Sequence, residues 1–114
     1  MALSLLEQVR RYLRIDGGED DDVLALLIND AKGYLADAGV LEIAEPDSSQ
    51  DPERAERIRR YLDSYKLAIM QYVAAKYENR EAIGGRLEVF SLGFASRIPQ
   101  LQLECRALMG GEMT

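Results

Sequence analysis

The chain reads as all-α, a small bundle of four to five helices around one long central helix. Three observations lead there. Apolar residues recur at helical spacing behind residue 23 and again from Ile58 to Val73. Helix-start chemistry appears at Ser4 with Glu7, at Asp20-Asp21-Asp22 and at Asp51-Pro52-Glu53. Candidates for extended backbone are confined to two short stretches, near 40–43 and 86–90. The 114 residues are 47% apolar and 30% charged, which suits one globular domain over 1–114. A domain of this size builds a modest core, stable by about 5–10 kcal/mol.

Taken in order, the Ser4–Glu7 capping box opens a first helix with Leu6, Val9 and Leu13 on one face. Gly17-Gly18 is the expected stop. Asp20, Asp21 and Asp22 then oppose the positive end of a second helix. Leu24, Leu27, Ile28, Ala31, Leu35 and Ala38 form its stripe. Val23, Leu26 and Tyr34 widen that stripe, so packing on more than one side is expected, and Gly39 suits the C-terminal cap. Residues 40–51 carry turn chemistry in Glu45-Pro46-Asp47-Ser48-Ser49-Gln50 and are expected to be a mobile loop. Within it, Val40-Leu41-Glu42-Ile43 admits a brief extended piece.

Asp51-Pro52-Glu53 starts the central helix, with its apolar face on Ile58, Leu62, Tyr65, Ile69, Tyr72 and Val73. Asp63-Ser64 is its weakest point, and Gly84-Gly85 is the expected end. Arg86 to Phe90 alternates in a way that suits a strand. Leu92-Gly93-Phe94 reads as a turn leading to a last helical element that contains Ile98, Leu101 and Leu103, with Pro99 expected to interrupt it. Residues from about 106 to 114 read as a flexible tail.

Composition removes several function classes. There is no histidine, so the Ser/His/Asp triad, most zinc sites and the usual neutral-pH acid–base residue are absent. Cys105 is the only cysteine, which rules out an internal disulfide and suits a small apolar role. No apolar run approaches the roughly 20 residues of a membrane helix, and Met1-Ala2-Leu3-Ser4 lacks the basic start of a secretory signal. Counting from Asp16, the acidic run fails the calcium-loop pattern: Asp21 stands where glycine is needed and Leu27 where glutamate is needed. Glu78 and Glu81 have the i,i+3 spacing of a di-iron motif without its histidine. No glycine-rich phosphate loop is present. The reading is a protein that is not an enzyme and carries no cofactor.

Charge is unevenly spread. The net charge is −6, yet residues 16–51 hold eleven acidic residues and one lysine. Such a chain is poorly suited to tight, sequence-independent DNA binding, which depends on lysine and arginine displacing counterions. Arg54, Arg57, Arg59 and Arg60 form a basic row at the start of the central helix. It admits two readings, a solvated helix surface or a subunit contact. The acidic region supplies a complement for the second, through Glu19, Asp20 and Asp21 in particular. Tyr61, Tyr65, Tyr72 and Tyr77 share the central helix and suit buried aromatics better than a base-stacking platform.

Four segments in this order carry a family resemblance. They are Leu13-Arg14-Ile15-Asp16, Glu19-Asp20-Asp21-Asp22, Tyr77-Glu78-Asn79-Arg80-Glu81 and Leu92-Gly93-Phe94. The chain resembles the head–tail connector proteins of tailed bacteriophages over roughly residues 3–105. The resemblance implies a structural virion component of the phage neck, synthesised in the host cytoplasm. It implies a ring of identical subunits, generally twelve-fold, docked under the portal protein and receiving a stopper or tail-completion protein. Double-stranded DNA would pass through the ring without sequence-specific binding, and no membrane is involved. The alternative is a small helical DNA-binding protein acting in phage DNA packaging or regulation, which the acidic balance opposes.

Overall fold

A computed structural model describes residues 4–47, 49, 51–78 and 92–110. Four helices account for most of them: α1 (Leu5–Leu13), α2 (Asp21–Asp37), α3 (Pro52–Glu78) and α4 (Leu92–Gly110). No strand occurs among the described residues. The extended segment expected near 86–90 and the Gly84-Gly85 stop lie outside them.

Local chemistry explains most helix ends. Ser4 Oγ accepts from the Glu7 N–H at 3.1 Å while Glu7 Oε1 accepts from the Ser4 N–H at 3.3 Å, completing the capping box. The first helix ends earlier than Gly17. Arg14 takes a left-handed conformation (φ 60°), the Ile15 N–H bonds Arg10 O at 2.9 Å, and the Arg14 N–H bonds Arg11 O at 3.1 Å. Those two bonds make a Schellman turn, so Leu13-Arg14-Ile15-Asp16 is a helix stop built without glycine. Gly17 (φ 83°) makes the next bend. At the far end of α2 the same turn recurs with Gly39 (φ 86°) in the left-handed position, as expected. Asp51 Oδ2 accepts from the N–H groups of Glu53 and Arg54, both at 3.1 Å, and caps α3.

The core forms on α3. Ile58, Tyr61, Leu62, Tyr65, Ala68, Ile69, Tyr72 and Val73 are buried along it. Helix α2 lies antiparallel to α3 through Leu24, Ile28, Ala31 and Leu35, with Asp20 beside Tyr77 and Leu41 beside Tyr61. Helix α4 is also antiparallel to α3, with Arg97 beside Gln71 and Leu108 beside Arg54. Helix α1 packs on both α2 and α3 and buries Val9. The described molecule measures 46 × 32 × 19 Å, its length set by the 27 residues of α3.

Four expectations need correction. Val23 and Leu26 do not widen the α2 core stripe; both are exposed, Leu26 by 69%. Residues 40–43 are not a strand. The Val40 N–H closes the end of α2 by donating to Leu35 O at 2.8 Å, and the backbone of Leu41 bonds side chains, its N–H donating to Cys105 Sγ at 3.4 Å and its O accepting from Tyr61 Oη at 2.6 Å. Lys32–Glu42 (3.3 Å) and Lys66–Glu45 (3.6 Å) ion pairs hold the next residues, so residues 41–45 are tied to the bundle. Pro99 does not interrupt α4, which runs through it to Gly110. Phe94, Leu101, Cys105 and Leu108 are buried at helical spacing, and their packing outweighs the hydrogen bond that Pro99 cannot donate to Ala95. Residues 106–110 are therefore helical, Leu108 is core, and the expected tail does not begin at 106.

Burial raises three phenols on α3. Tyr61 is shifted upward by burial and by Cys105, and Tyr72 by burial and by its hydrogen bond to Asp30. Tyr65 is pushed up to about 12 by burial, Glu42 and Cys105. In the unfolded chain these groups ionise near 10. Above that pH the unfolded state has released protons that the folded state keeps. The stabilisation they give is thus whole below pH ~10 and is lost as pH rises towards 12. Alkaline titration should show tyrosinate absorbance from these residues rising together with loss of far-UV circular dichroism. Ionisation of all three with the helices intact would contradict their burial.

Candidate functional site

Two charged ends and one aromatic layer hold the residues singled out by sequence. At the first end, α1 stops, the chain bends at Gly17, and α2 begins. Asp20 precedes the helix, yet its carboxylate makes no capping hydrogen bond; Oδ2 instead accepts from Tyr77 Oη across the bundle. Asp21 Oδ1 pairs with Arg10 Nε at 3.4 Å, and Arg10 Nη1 donates to Gly17 O at 3.3 Å. Glu19 and Asp22 are exposed beside them. Two of the family-like segments therefore meet here: the acidic start of α2 and the tyrosine that opens Tyr77-Glu78-Asn79-Arg80-Glu81. Asn79, Arg80 and Glu81 lie outside the described residues.

Tyr77→Phe should cost about 1.5 kcal/mol, the low end for a hydrogen bond to a charged group, because Asp20 keeps partial contact with water. A urea unfolding curve measures this, and an unchanged midpoint would show that the link contributes nothing.

The second end carries the arginine row. Arg54 Nη2 donates to Leu108 O at 2.7 Å, placing its charge on the negative end of α4. Arg57 and Arg60 are exposed, and Arg60 Nε lies 3.8 Å from Glu56. With Leu103, Glu104, Ala107 and Leu108 they line an open cleft of about 450 Å³ between α3 and α4. Twenty residues of α3 separate Arg57 from Tyr77, so the basic and acidic ends stand about 30 Å apart at 1.5 Å per residue.

Between the ends, Tyr34, Tyr72 and Phe94 from three helices form a triangle with ring centroids 5.6–5.9 Å apart. Tyr72 Oη donates to Asp30 Oδ2, and Lys76 Nζ lies 5.4 Å from the Tyr72 ring centre. Tyr61, Tyr65 and Tyr72 serve the interior, and Cys105 is buried. Among the described residues no group of three or more acidic or cysteine side chains could hold a metal ion. No helix of the described residues is long and apolar enough to cross a membrane.

Sequence reasoning missed the Asp20–Tyr77 and Asp30–Tyr72 links. The partners are 57 and 42 positions apart, and only the antiparallel register of α2 on α3 joins them.

The family model for the phage gp6-like head-tail connector protein matches residues 4–101. The chain belongs to the phage gp6-like head-tail connector family. No curated protein and no solved structure gives a significant match. As a connector-family protein it is a virion component acting between phage head and tail, and its family is structural. The match gives no support to the DNA-recognition alternative. It covers the acidic corner, the Arg54–Arg60 row and the Tyr77–Glu81 segment, whereas Leu103, Cys105 and Leu108 on α4 lie beyond its end.

Proposed function

We propose that this connector protein is a non-catalytic subunit of a closed ring in the phage neck. The ring, twelve-fold as is general in the family, sits under the portal protein, extends the DNA channel and offers its other side to a stopper or tail-completion protein. The subunit is made in the bacterial cytoplasm and acts without a cofactor. Double-stranded DNA passes through without sequence-specific contact.

The observation that carries this reading is the separation of unlike charge. Arg57 and Arg60 face outward at one end of α3, and Glu19 faces outward at the other. A surface that differs from its complement on the same molecule makes head-to-tail contacts, which close into rings when the rotation permits. Arg54, Asp20 and Asp21 serve this interface from behind, by holding the ends of α4 and α2 in shape. The local excess of carboxylates over residues 16–51 suits a channel wall that must not grip DNA.

Sedimentation of the purified protein with the portal protein encoded by the same phage tests the proposal. A stoichiometric complex is expected that survives moderate salt. Separate sedimentation at micromolar concentrations of both would overturn it.

A further inference from the structure

The cleft between α3 and α4 and the outer face of α2 are complementary to each other. Arg57 and Arg60 stand one helical turn apart on the α3 wall, and Leu103, exposed by 64%, rises from the α4 wall with Ala107 behind it. Glu104 is the one acidic residue among those lining the cleft. On α2, Val23 and Leu26 turn away from the core and are exposed by 39% and 69%. Asp22, one turn before Leu26, is exposed on the same side, and the last turn of α2 carries no basic residue. One surface is thus apolar with cations, and the other is apolar with an anion, at matching one-turn spacing. No α2 residue lines the cleft, so the α2 face does not fill it within its own chain.

We propose that the α3–α4 cleft receives the outer face of α2 from a second copy of this chain. Leu26 and Val23 of one copy pack against Leu103 and Ala107 of the next, and Asp22 meets Arg57 and Arg60. The proposal rests on the ring reading and deepens it by naming the two surfaces that meet. The α2 face and the cleft are different surfaces, so the contact is head-to-tail and each copy keeps one free half for the next neighbour. Burial of the exposed leucines should let the pairing persist in salt, while the charges fix its register and orientation.

Mixed disulfide trapping tests it. Leu26→Cys is made in one preparation and Leu103→Cys in another; both positions are exposed, so neither change reaches the core. Cys105 stays in place because it is buried, and the unaltered protein is the control. The preparations are mixed with portal protein, oxidised with copper phenanthroline and run on non-reducing gels, and the same samples are imaged by electron microscopy. Rings with a disulfide-linked dimer in the mixture, and none in either variant alone, are expected. Rings without the cross-link overturn this pairing and leave the ring reading standing. Absence of rings from the unaltered protein overturns both. A cross-link within the Leu26→Cys preparation alone signals a symmetric contact and also overturns the pairing. As a second arm, Asp22→Arg and the double change Arg57→Glu with Arg60→Glu should each lower association about tenfold or more. Mixing the two charge-reversed proteins should restore contact between unlike partners, and failure to restore it counts against the assignment.

Discussion

Phe94→Ala is expected to remove about 3–5 kcal/mol of stability, the range for deleting a buried aromatic side chain. Phe94 is 1% exposed and closes the triangle with Tyr34 and Tyr72. It touches α2 and α3 at once, so its loss loosens the seam where three helices meet. A domain of this size has only about 5–10 kcal/mol in total, so the variant should unfold at much lower denaturant and be partly unfolded at 37 °C. Leu103→Ala is the informative partner. Leu103 is apolar and on the same helix, but it is largely exposed, and a surface change of this kind stays within about 0.5 kcal/mol. Equilibrium urea unfolding followed by circular dichroism separates the two. Equal losses would mean that α4 is seated in a different register.

Pro99→Ala is expected to raise stability by about 2 kcal/mol. Pro99 is the eighth residue of α4 and is exposed, so its ring contributes little packing. In the helix interior it leaves Ala95 O without its N–H partner, a penalty of about 3 kcal/mol. Alanine restores that bond but gives back the stiffness proline lent the unfolded chain, about 0.4–1 kcal/mol. The midpoint of thermal unfolding should move upward, with more helical signal. A fall would show that a bend at Pro99 is what seats Ile98 and Leu101 against α3.

These two residues also mark where sequence reading succeeds and where it stops. The starts of α1 and α3 were legible because their chemistry is local: Ser4 with Glu7, and Asp51 ahead of Pro52, act within one turn of the chain, whereas α4 starts at Leu92, inside a segment that reads as a turn. Gly39 was legible for the same reason. The stop after Leu13 was not, because Arg14 adopts a left-handed conformation that glycine signals usually announce. Apolar residues alone did not distinguish Leu24 from Leu26, since both fit a broad helical stripe and only the position of α3 decides which is covered. Treating Pro99 as a break hid the register of α4. Once the helix is continuous, Phe94, Leu101, Cys105 and Leu108 align and Leu103 turns outward. The charged ends were visible as composition, but their division of labour was not. Arg54 and Asp20 look like their neighbours in sequence, yet each is bonded inside the subunit.

That division gives the ring account its content, because it leaves the outward charges and the exposed leucines as the surfaces a neighbour can use. Single-particle electron microscopy of the connector protein bound to its portal is the most direct test. A closed collar of identical subunits coaxial with the portal is expected, with an open central hole wide enough for duplex DNA. Isolated subunits scattered on the portal without mutual contact, or a plugged disc with no passage, would contradict it.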